Sequence, residues 1–430
     1  MEKTKAKPQL KMLHDKNLST QMAKNYNYDV LVVGGGPAGL SAAWGAAKKG
    51  LSVAVLERDE AIGQNVRTSG VTWIKEAKSF GIPSECYNEI SNYAFYSPNN
   101  YVIKKSETAQ AAVLDVRKTY QFLAYQAASE GADIFLRTNV TDVIKNEKEK
   151  LSGVKATSLK EELVFNSKLV IDASGFYSVV GRSLGIALPW KRFGAGAEYE
   201  AYVDKVSPDT WHLMVGSQYS PAGYAWVFPL GKNKVRIGVG VGKPNSQADA
   251  SKLLIELLEK RPKPLDDLGR IVPVEFHYGL IPNEGLREST IDDNLIMVGD
   301  SAGQANPLVL EGIRYAIEFG RAAGKIGGES VVRGDASRES LKSYEETMKK
   351  AIGSKIAAAV KVQYRWLNLS DQEWDKEIEI IGELSAEEFL DFIKADFGMT
   401  SMLKLAAHHP KLALRQLFQI IKNTGKDSEA

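Results

Sequence analysis

Short apolar runs and an alanine-rich segment alternate near the start of the chain. Residues 29–33 form a compact apolar strand whose ordered structure starts at Tyr28, and residues 53–56 form a second apolar run. The alanine-rich stretch 39–49 between them has helix propensity, and Gly50 ends it. An apolar run bounded by glycines is typical of a buried strand in a parallel sheet. The pattern therefore predicts a βαβ unit over residues 28–56.

The turn between the first strand and the helix reads Gly34-Gly35-Gly36-Pro37-Ala38-Gly39. This is the GxGxxG spacing, placed where a strand opens into a helix. Gly34 permits the tight turn, Gly36 lets a pyrophosphate approach the backbone, and Gly39 lets the helix pack on the strand. Glu57 ends the second strand, where an acidic side chain accepts hydrogen bonds from the adenosine ribose. The unit is predicted to bind a dinucleotide; a glycine-rich turn without a ligand is the alternative.

Two later segments bear on which dinucleotide binds. Residues 169–175 form an apolar strand that ends in Ala173-Ser174-Gly175. Residues 294–303 contain a second strand, which ends in Gly299-Asp300, and Gly312-Ile313 then starts another helix. The first segment resembles the second signature of two-dinucleotide-binding flavoproteins, and the other resembles the flavoprotein GD motif. Both resemblances favour FAD over NAD.

The GD motif assigns distinct tasks to its aspartate and to the following helix. The resemblance implies that Asp300, held rigidly after a strand, binds the ribityl hydroxyls of FAD. The helix that starts near Gly312 then aims its N-terminal dipole at the isoalloxazine, where partial positive charge stabilises the anionic reduced flavin. The alternative for Asp300 is an ordinary helix N-cap.

Taken together, the three signatures resemble the glutathione-reductase-like FAD superfamily. Within it, they point to the branch of p-hydroxybenzoate hydroxylase, flavin halogenases, electron-transfer-flavoprotein quinone oxidoreductases and geranylgeranyl reductases. The superfamily resemblance covers most of residues 28–330. It implies FAD as cofactor and an α/β fold (α+β overall), with a Rossmann-like FAD-binding domain of glutathione-reductase type, an inserted β-rich substrate domain and a helical C-terminal region.

The expected domain boundaries combine this resemblance with composition. The lysine-rich start of the chain has few apolar positions, so it is expected to be a flexible basic tail. The tail is expected to comprise residues 1–26. The FAD-binding domain is expected to be built from residues 27–75, 110–185 and 280–330, and the β-rich substrate domain from residues 76–109 and 186–279. Residues 331–430 are expected to form the helical C-terminal region.

Further cofactor contacts are implied by the same branch. Asp115-Val116-Arg117 precedes a helical stretch and matches the segment whose arginine contacts the flavin, although Arg117 has a capping or ion-pairing role as its alternative. Val140 follows the strand 134–136, where the branch supplies backbone contacts to adenine. The remaining positions at which we expect cofactor contacts are Arg58, Thr68, Ser69, Ala173 and Gly175.

Residues 221–231 distinguish among the members of the branch. They are similar to the YxWxFP stretch of geranylgeranyl reductases. Tyr224, Trp226 and Phe228 share one face of a strand, because side chains alternate, so they are expected to bind substrate as the wall of an apolar tunnel beside the flavin. An aromatic ladder that packs the sheet core is the alternative. Flavin halogenases carry a related WxWxIP stretch, from which this chain differs at Tyr224 and Phe228.

The chain departs from the reductase pattern at two places. The family's loop after the acidic residue usually carries an Arg-Cys pair near the flavin, whereas this chain has Arg67-Thr68-Ser69-Gly70. The missing cysteine puts in doubt any mechanism that uses it. The GD helix is normally preceded by a glycine pair or Gly-Glu-Gly, whereas this chain has Leu310-Glu311-Gly312. The bulky Leu310 is expected to reshape the floor of the substrate pocket.

Composition and charge narrow the list of partners. The chain has 55 basic and 53 acidic residues, so its net charge of +2 argues against nucleic-acid binding. The single cysteine, Cys86, allows no internal disulfide or cysteine-rich zinc site, and the five histidines show no ligand spacing, so no metal is expected.

No apolar run reaches the roughly 18 residues needed to span a bilayer, and no signal peptide is evident. We expect a cytoplasmic protein.

The C-terminal segment suggests contact with a membrane surface. Its apolar positions Leu414, Leu417, Phe418 and Ile421 recur at helical spacing beside basic residues. A basic amphipathic helix of this kind can rest on anionic lipid at the inner membrane face, and packing on the protein's own core is the alternative.

The function expected from these features is hydride transfer from reduced FAD to isolated C=C bonds of a geranylgeranyl, or isoprenoid, lipid. No catalytic residue is assigned. Gly238-Val239-Gly240-Val241-Gly242 lies in a β-rich segment and is no second dinucleotide fingerprint, so electrons must come from docked NAD(P)H, ferredoxin or a quinol. The alternatives are a flavin monooxygenase or halogenase, a quinone-linked electron-transfer flavoprotein, a redox-neutral cyclase, and a non-catalytic flavin- or lipid-binding protein.

Overall fold

The computed structural model describes residues 24–395 and 408–409. Its strands in this part of the chain are β1 (Lys24–Val33), β2 (Val53–Leu56), β3 (Val71–Trp73), β4 (Tyr87–Ile90), β5 (Asn92–Tyr96), β6 (Tyr101–Lys105), β7 (Ala111–Leu114), β8 (Asp133–Phe135), β9 (Asn139–Lys145), β10 (Leu151–Ser158), β11 (Glu161–Asp172), β12 (Phe193–Val203), β13 (Thr210–Val215), β14 (Gly223–Pro229), β15 (Lys234–Lys243), β16 (Ile271–Pro282), β17 (Ile291–Asp292) and β18 (Leu295–Met297).

The helices of the same part are α1 (Pro37–Ala47), α2 (Ile74–Ser79), α3 (Val116–Ser129), α4 (Val179–Ser183), α5 (Ala250–Lys260), α6 (Ile313–Val332), α7 (Arg338–Met348), α8 (Ser354–Trp366), α9 (Asp371–Glu383) and α10 (Ala386–Ile393). A π-helical turn, Lys349–Gly353, joins α7 to α8. Within the described residues, no helix is both long and apolar enough to cross a bilayer.

An eight-stranded sheet carries the predicted βαβ unit. Its main path runs β17-β18-β11-β1-β2-β8, and β9 and β10 extend it as antiparallel neighbours of β11. The strands β11, β1, β2 and β8 pair in parallel, and β18 pairs in parallel with β11. Apolar side chains of α1, α3, α6 and α7 pack on one face of the sheet, and those of β9, β10 and α4 contribute to a cluster on the other. The predicted α/β fold class is confirmed.

The first strand is longer than its apolar pattern predicts. It begins at Lys24, ahead of the expected start at Tyr28, so residues 24–26 belong to the strand and not to the tail. The added residues pair with the first half of β11: Lys24 Nζ lies 2.9 Å from Glu161 Oε2, and the Tyr26 ring stacks on Phe165. These partners are remote in sequence, so the local pattern could not reveal them. The rest of the expected tail lies outside the described residues.

Glycines allow α1 and α6 to cross at very short range. A Cβ on Gly324 would lie 2.0 Å from the carbonyl oxygen of Ala42, and one on Gly320 would lie 2.4 Å from that of Ala38. Since real side chains cannot approach a backbone oxygen so closely, only glycine permits this crossing. The contact fixes the start of α6 against the glycine turn that precedes α1.

A seven-stranded sheet follows the order β16-β12-β15-β14-β13-β5-β6. Its pairings are antiparallel except for β13 with β5. Residues 238–242 lie inside β15, which confirms that this glycine-rich stretch is not a second dinucleotide turn. A small third sheet has the order β3-β7-β4, and along the chain β5 and β6 of the seven-stranded sheet come between its strands β4 and β7.

The described part of the C-terminal region is helical, as expected, and α9 and α10 cover one face of the seven-stranded sheet. Trp374 and Ile378 of α9 and Phe389 of α10 share a buried cluster with Trp211 and Leu213 of β13. The amphipathic segment that contains Leu414 to Ile421 lies outside the described residues.

The replacement Gly324→Ala tests the close crossing of α1 and α6. The added Cβ would force the two helices apart, so the free energy of unfolding is expected to fall by about 1 to 3 kcal/mol in urea denaturation. Gly382→Ala in α9 is the matched control, because nothing lies within 4 Å of its Cβ. The control should raise stability by roughly 0.5 to 1 kcal/mol through helix propensity. Equal stability of the two variants would contradict the packing account.

Candidate active site

The carboxyl ends of four parallel strands meet at one edge of the eight-stranded sheet. The glycine turn follows β1, Glu57 follows β2, Ala173 follows β11, and Asp300 lies shortly after β18. A cavity opens at this edge, and we call it the cofactor cavity. The predicted cofactor residues that line it are Gly34, Gly36, Pro37, Ala38, Glu57, Arg58, Thr68, Val140, Ala173, Gly175, Asp300, Gly312 and Ile313.

The three glycines of the GxGxxG turn have different surroundings. Gly34 has φ +108°, and a Cβ there would lie 2.4 Å from the carbonyl oxygen of Ala173. A Cβ on Gly39 would lie 1.9 Å from the carbonyl oxygen of Gly34, so Gly39 serves helix packing and does not line the cavity. By contrast, nothing lies within 4 Å of a Cβ on Gly36, which faces the cavity. The backbone at Gly36 thus forms a cradle that suits a pyrophosphate.

Glu57 is held at the cavity wall by backbone N–H groups. Its Oε2 accepts a hydrogen bond of 2.6 Å from Gly35 N, and its Oε1 accepts one of 2.8 Å from Asp59 N. Each carboxylate oxygen can accept a further hydrogen bond. The fixed carboxylate therefore fits the hydroxyls of a ribose.

Asp300 lies in a short 3₁₀ turn, Gly299–Ala302, at the base of the cofactor cavity. Desolvation raises the pKa of its carboxyl to about 6. The N-cap of α6 is Gly312, so the N-cap alternative for Asp300 does not apply to that helix. Asp300 Oδ1 would lie 3.5 Å from a Cβ on Gly312, which places the carboxyl beside the N-terminus of α6. This arrangement suits the ribityl chain and ring of FAD.

Arg117 and Ser69 do not line the cofactor cavity in the structure. Arg117 Nη2 donates to Glu275 Oε1 at 2.7 Å, and its Nε donates to the carbonyl of Gly63. The ion-pair alternative for Arg117 therefore describes its observed contact. Ser69 lines the neighbouring cavity, and its carbonyl accepts a hydrogen bond from Arg236.

Tyr120 and Arg67 line the cofactor cavity but were not among the predicted cofactor residues. Burial raises the pKa of Tyr120, with a further contribution from Asp300. The signal for Tyr120 was its position one helical turn after Arg117 on α3, which places the two side chains on neighbouring positions of one helix face. Among the described residues, no group of three or more His, Cys, Asp or Glu is arranged to hold a metal ion.

A second cavity lies against the seven-stranded sheet, and we call it the sheet cavity. Tyr224, Trp226 and Phe228 all line it, together with aromatic side chains from β13, α9 and α10. Arg67, Thr68, Ile281 and Leu310 line both cavities, so the two adjoin. The structure thus brings the predicted tunnel residues next to the predicted flavin site.

Strand register gives the sheet cavity a glycine floor. Gly279 of β16, Gly196 of β12 and Gly240 of β15 stand in one cross-strand row, which continues to Tyr224 of β14. In the next row, the indole of Trp226 lies over Gly238, where a Cβ would come within 2.2 Å of Trp226 Cζ2. The Trp226 ring also lies 3.5 to 3.6 Å from a Cβ on Gly240 or Gly196, and the carbonyl of Arg67 covers Gly279 at 2.4 Å, so the glycines let a large ring and backbone pack closely while still lining the cavity.

The aromatic residues of β14 serve both the core and the cavity wall. Trp226 is 7% exposed and Phe228 is 4% exposed, and both belong to a buried cluster. The Trp226 indole donates its Nε1–H to Glu198 Oε2 at 3.0 Å, and Tyr224 donates its hydroxyl to the carbonyl of Val309. Burial raises the pKa of Tyr224, and Glu198 adds to that effect. Their part in binding substrate stays a prediction.

Leu310 stands at the junction of the two cavities. It has φ +54°, a left-handed conformation that is strained for a leucine. A Cβ on Gly194 would lie 2.2 Å from Leu310 Cδ1, so the side chain packs directly onto the first residues of β12. A bulky group at this position shapes the boundary between the cavities, as the sequence comparison with Gly-Glu-Gly suggested.

Two glycine replacements separate cofactor binding from folding. Gly36→Val is expected to fold like the unchanged protein but to lose FAD, because its side chain fills the pyrophosphate cradle. Gly39→Ala is expected to lose stability and FAD together, because its Cβ collides with the backbone of Gly34. Absorbance of FAD released from the purified proteins and their thermal midpoints give the two readouts. Full FAD content in folded Gly36→Val would refute this placement of the pyrophosphate.

Comparisons with known proteins agree with this geometry. Residues 29–182 match the FAD dependent oxidoreductase family, and residues 194–279 match the geranylgeranyl reductase catalytic domain. The chain is 31% identical over 397 residues to the digeranylgeranylglycerophospholipid reductase of Methanosarcina acetivorans. The match covers 87% of this chain and 94% of the relative. It is 30% identical over 392 residues to digeranylgeranylglycerophospholipid reductase 2 of Methanopyrus kandleri. This match covers 90% of this chain and 97% of the relative.

Solved structures give the same result at the level of the fold. A geranylgeranyl bacteriochlorophyll reductase-like protein from Thermoplasma acidophilum has a TM-score of 0.80 and 27% identity, over 91% of this chain and 98% of that one. A flavin-dependent brominase, at 19% identity and a TM-score of 0.59, shares the fold over 83% of this chain and 93% of its own. The expected cofactor and enzyme class are confirmed, and the chain belongs to the geranylgeranyl reductase family of FAD-dependent oxidoreductases.

Proposed function

We propose that this enzyme saturates isolated C=C bonds in the geranylgeranyl chains of an isoprenoid lipid. The observation that carries the proposal is the contact between two cavities, one fit for FAD and one walled largely by aromatic and aliphatic side chains. An apolar chain laid over the glycine floor would reach the junction at Leu310, where the cofactor cavity begins. The names of the relatives from Methanosarcina acetivorans and Methanopyrus kandleri support a geranylgeranyl glycerophospholipid as the substrate class.

Different residues of the chain would bind the cofactor and the lipid. The glycine turn, Glu57 and Asp300 would hold FAD, which supplies a hydride when it is bound in its reduced form. Trp226, Phe228 and the helices α9 and α10 exclude water from the apolar chain and orient it along the sheet. Electrons would enter from docked NAD(P)H, ferredoxin or a quinol, because the described residues contain a single dinucleotide turn of the GxGxxG type.

Enzymes that catalyse the rival reactions can have the same fold, but the reactions differ in their need for oxygen and in the mass of the product. A monooxygenase or halogenase needs oxygen, and a cyclase leaves the mass of its substrate unchanged. A quinone-linked electron carrier, or a flavin- or lipid-binding protein, leaves the lipid unaltered. The aromatic and glycine residues of β14 and β15 favour the reductase, since they provide a long apolar surface beside the flavin site.

Anaerobic turnover with chemically reduced FAD tests this function. The flavin is expected to reoxidise as a geranylgeranyl lipid gains two hydrogens for each saturated bond, measured by absorbance and mass spectrometry. Gly240→Val should lower the rate at least tenfold with FAD content unchanged. Its Cβ would make ordinary contacts, 3.5 Å from Trp226 Cζ3, and the added methyl groups are expected to take up space in the cavity that Gly240 lines.

Gly382→Ala, whose added Cβ would meet nothing within 4 Å, is the control and should keep the unchanged rate. An oxygen requirement, or a product of unaltered mass, would reject the reductase. A normal rate for Gly240→Val would place the lipid chain elsewhere.

We further propose that this enzyme is cytoplasmic and touches the membrane through an exposed apolar stripe on β16. Val274, Phe276 and Tyr278 of this edge strand are between 46% and 54% exposed, and Val272, beyond a β-bulge in the pairing with β12, is 42% exposed. The same strand also lines the sheet cavity, through His277, Tyr278 and Gly279. A surface that inserts into lipid beside the cavity would let the apolar chain of the substrate enter with little exposure to water.

Sedimentation with vesicles checks the membrane contact. The combined replacement Val274→Ser and Phe276→Ser should lower the bound fraction on anionic vesicles at least tenfold, because two apolar side chains no longer insert. FAD content should not change. Tyr125→Ser on α3, where the tyrosine is 69% exposed, is the matched control and should bind like the unchanged protein. Equal loss in both variants, or no loss in either, would remove β16 as the contact surface.

A further inference from the structure

A buried histidine and a buried glutamate form an acid–base pair in the wall of the sheet cavity. His277 of β16 and Glu198 of β12 are cross-strand neighbours, and they are 4% and 3% exposed. His277 Nδ1 lies 2.9 Å from Glu198 Oε1, and both residues line the cavity. Since the rest of the wall is largely apolar, such a pair stands out as a place where a proton can be held next to the substrate.

Glu275 connects this pair to the protein surface. Its Oε1 lies 3.2 Å from His277 Nε2, at ion-pair distance but without hydrogen-bond geometry, so this buried ring nitrogen has no hydrogen-bond partner, and the Glu275 side chain is 35% exposed. The same oxygen accepts a hydrogen bond of 2.7 Å from Arg117 Nη2. Glu275, His277 and Glu198 therefore stand in a row from the protein surface to the cavity, and a small rotation of the Glu275 carboxylate would complete the hydrogen bond to Nε2.

Neighbouring groups fix Glu198 at the end of this path. Its Oε2 accepts the Nε1–H of Trp226 at 3.0 Å, and Arg236 Nε lies 3.6 Å from its Oε1. Arg236 is itself bound to Glu200, with 2.8 Å between Nη2 and Oε1. The carboxylate is thus oriented by the wall of the cavity, and the indole that forms that wall depends on it.

Two other polar side chains of the cavity wall are engaged elsewhere. Tyr224 donates its hydroxyl to the carbonyl of Val309 at 2.6 Å. Glu311 forms a buried ion pair with Arg314 at 2.8 Å. Their contacts lead away from solvent, whereas those of His277 lead toward it.

We propose that Glu275, His277 and Glu198 relay the proton that completes saturation of the C=C bond, an inference that rests on the proposed function. Reduced FAD, when bound, supplies a hydride to one carbon, so the other carbon needs one proton. That proton passes from solvent to Glu275, enters the imidazole at Nε2 and leaves it at Nδ1 to Glu198. Glu198 gives it to the second carbon, the flavin is oxidised, and the C=C π bond is replaced by two C–H bonds.

The replacement His277→Asn tests the relay while keeping its structural contact. The Asn amide nitrogen can replace Nδ1 as a donor to Glu198, but the side chain has no second nitrogen facing Glu275. FAD content and thermal midpoint should match those of the unchanged protein. The rate of flavin oxidation by a geranylgeranyl lipid in a single anaerobic turnover should fall by about 10²-fold or more, the usual size of general acid catalysis.

His212→Asn is the matched control. His212 is a histidine of the same sheet, next to the cavity-lining Trp211 and Leu213 of β13 but on the opposite face, where its Nδ1 lies 3.1 Å from the Tyr96 hydroxyl. Its turnover rate should remain within about twofold of the unchanged protein. A normal rate for His277→Asn, with the unchanged protein active, would overturn the relay and leave the proposed function standing. An inactive unchanged protein would overturn the proposed function, and the relay with it.

A second measurement needs neither cofactor nor turnover. The chain has five histidines, so nitrogen-15 labelling of imidazole rings gives few signals to assign by NMR. The ring N–H of His277 should exchange with solvent at least tenfold more slowly in Glu275→Gln than in the unchanged protein, because the amide cannot accept the proton. A purely structural histidine would exchange at the same rate in both proteins, and that result would also overturn the relay. This comparison still decides the question if His277→Asn fails to fold.

Discussion

The parallel pairing of β1 between β2 and β11 is the constraint on which the rest of the site depends. Parallel strands end at the same edge of a sheet, so the turns that follow them are brought together although they are far apart in the sequence. The glycine turn, Glu57 and the turn at Ala173 meet for this reason. The crossing of α1 and α6 then fixes the N-terminus of α6 and the GD turn over the same edge.

Glycines shape both the cofactor cavity and the sheet cavity. In the eight-stranded sheet domain, glycines allow backbone to approach backbone, as at Gly34 and Gly39. In the seven-stranded sheet, a row of glycines lines the sheet cavity, and together with Gly238 it gives space to the Trp226 indole. The same residue type thus lets backbone pack on backbone at one cavity and lets an indole ring lie close to the sheet at the other. Leu310, where the family pattern has glycine, stands between them.

Much of the cofactor site could be predicted from the sequence, because its signals are local. The GxGxxG turn, Glu57 and the GD turn each lie at the end of a short apolar run, and each lines the cofactor cavity. The alternation in β14 likewise predicted that Tyr224, Trp226 and Phe228 share a face. These signals depend on neighbouring residues along the chain, which a sequence shows directly.

What the sequence did not reveal depends on pairing between remote segments. The early start of β1 follows from its long register with β11, and Arg117 reaches Glu275 of β16 rather than the cofactor cavity. His277 and Glu198 become neighbours only through the pairing of β12 with β16. Periodicity cannot show such registers, so the acid–base pair was absent from the predicted site.

The central claim is that a lipid chain lies over the glycine floor with a C=C bond beside the flavin. A crystal structure of the FAD-loaded protein with a bound geranylgeranyl lipid tests it most directly. The account predicts the pyrophosphate at Gly36 and the apolar chain between Trp226 and α9, with one double bond at the junction formed by Leu310. A lipid bound outside the sheet cavity, or flavin density away from Gly36 and Asp300, would contradict it.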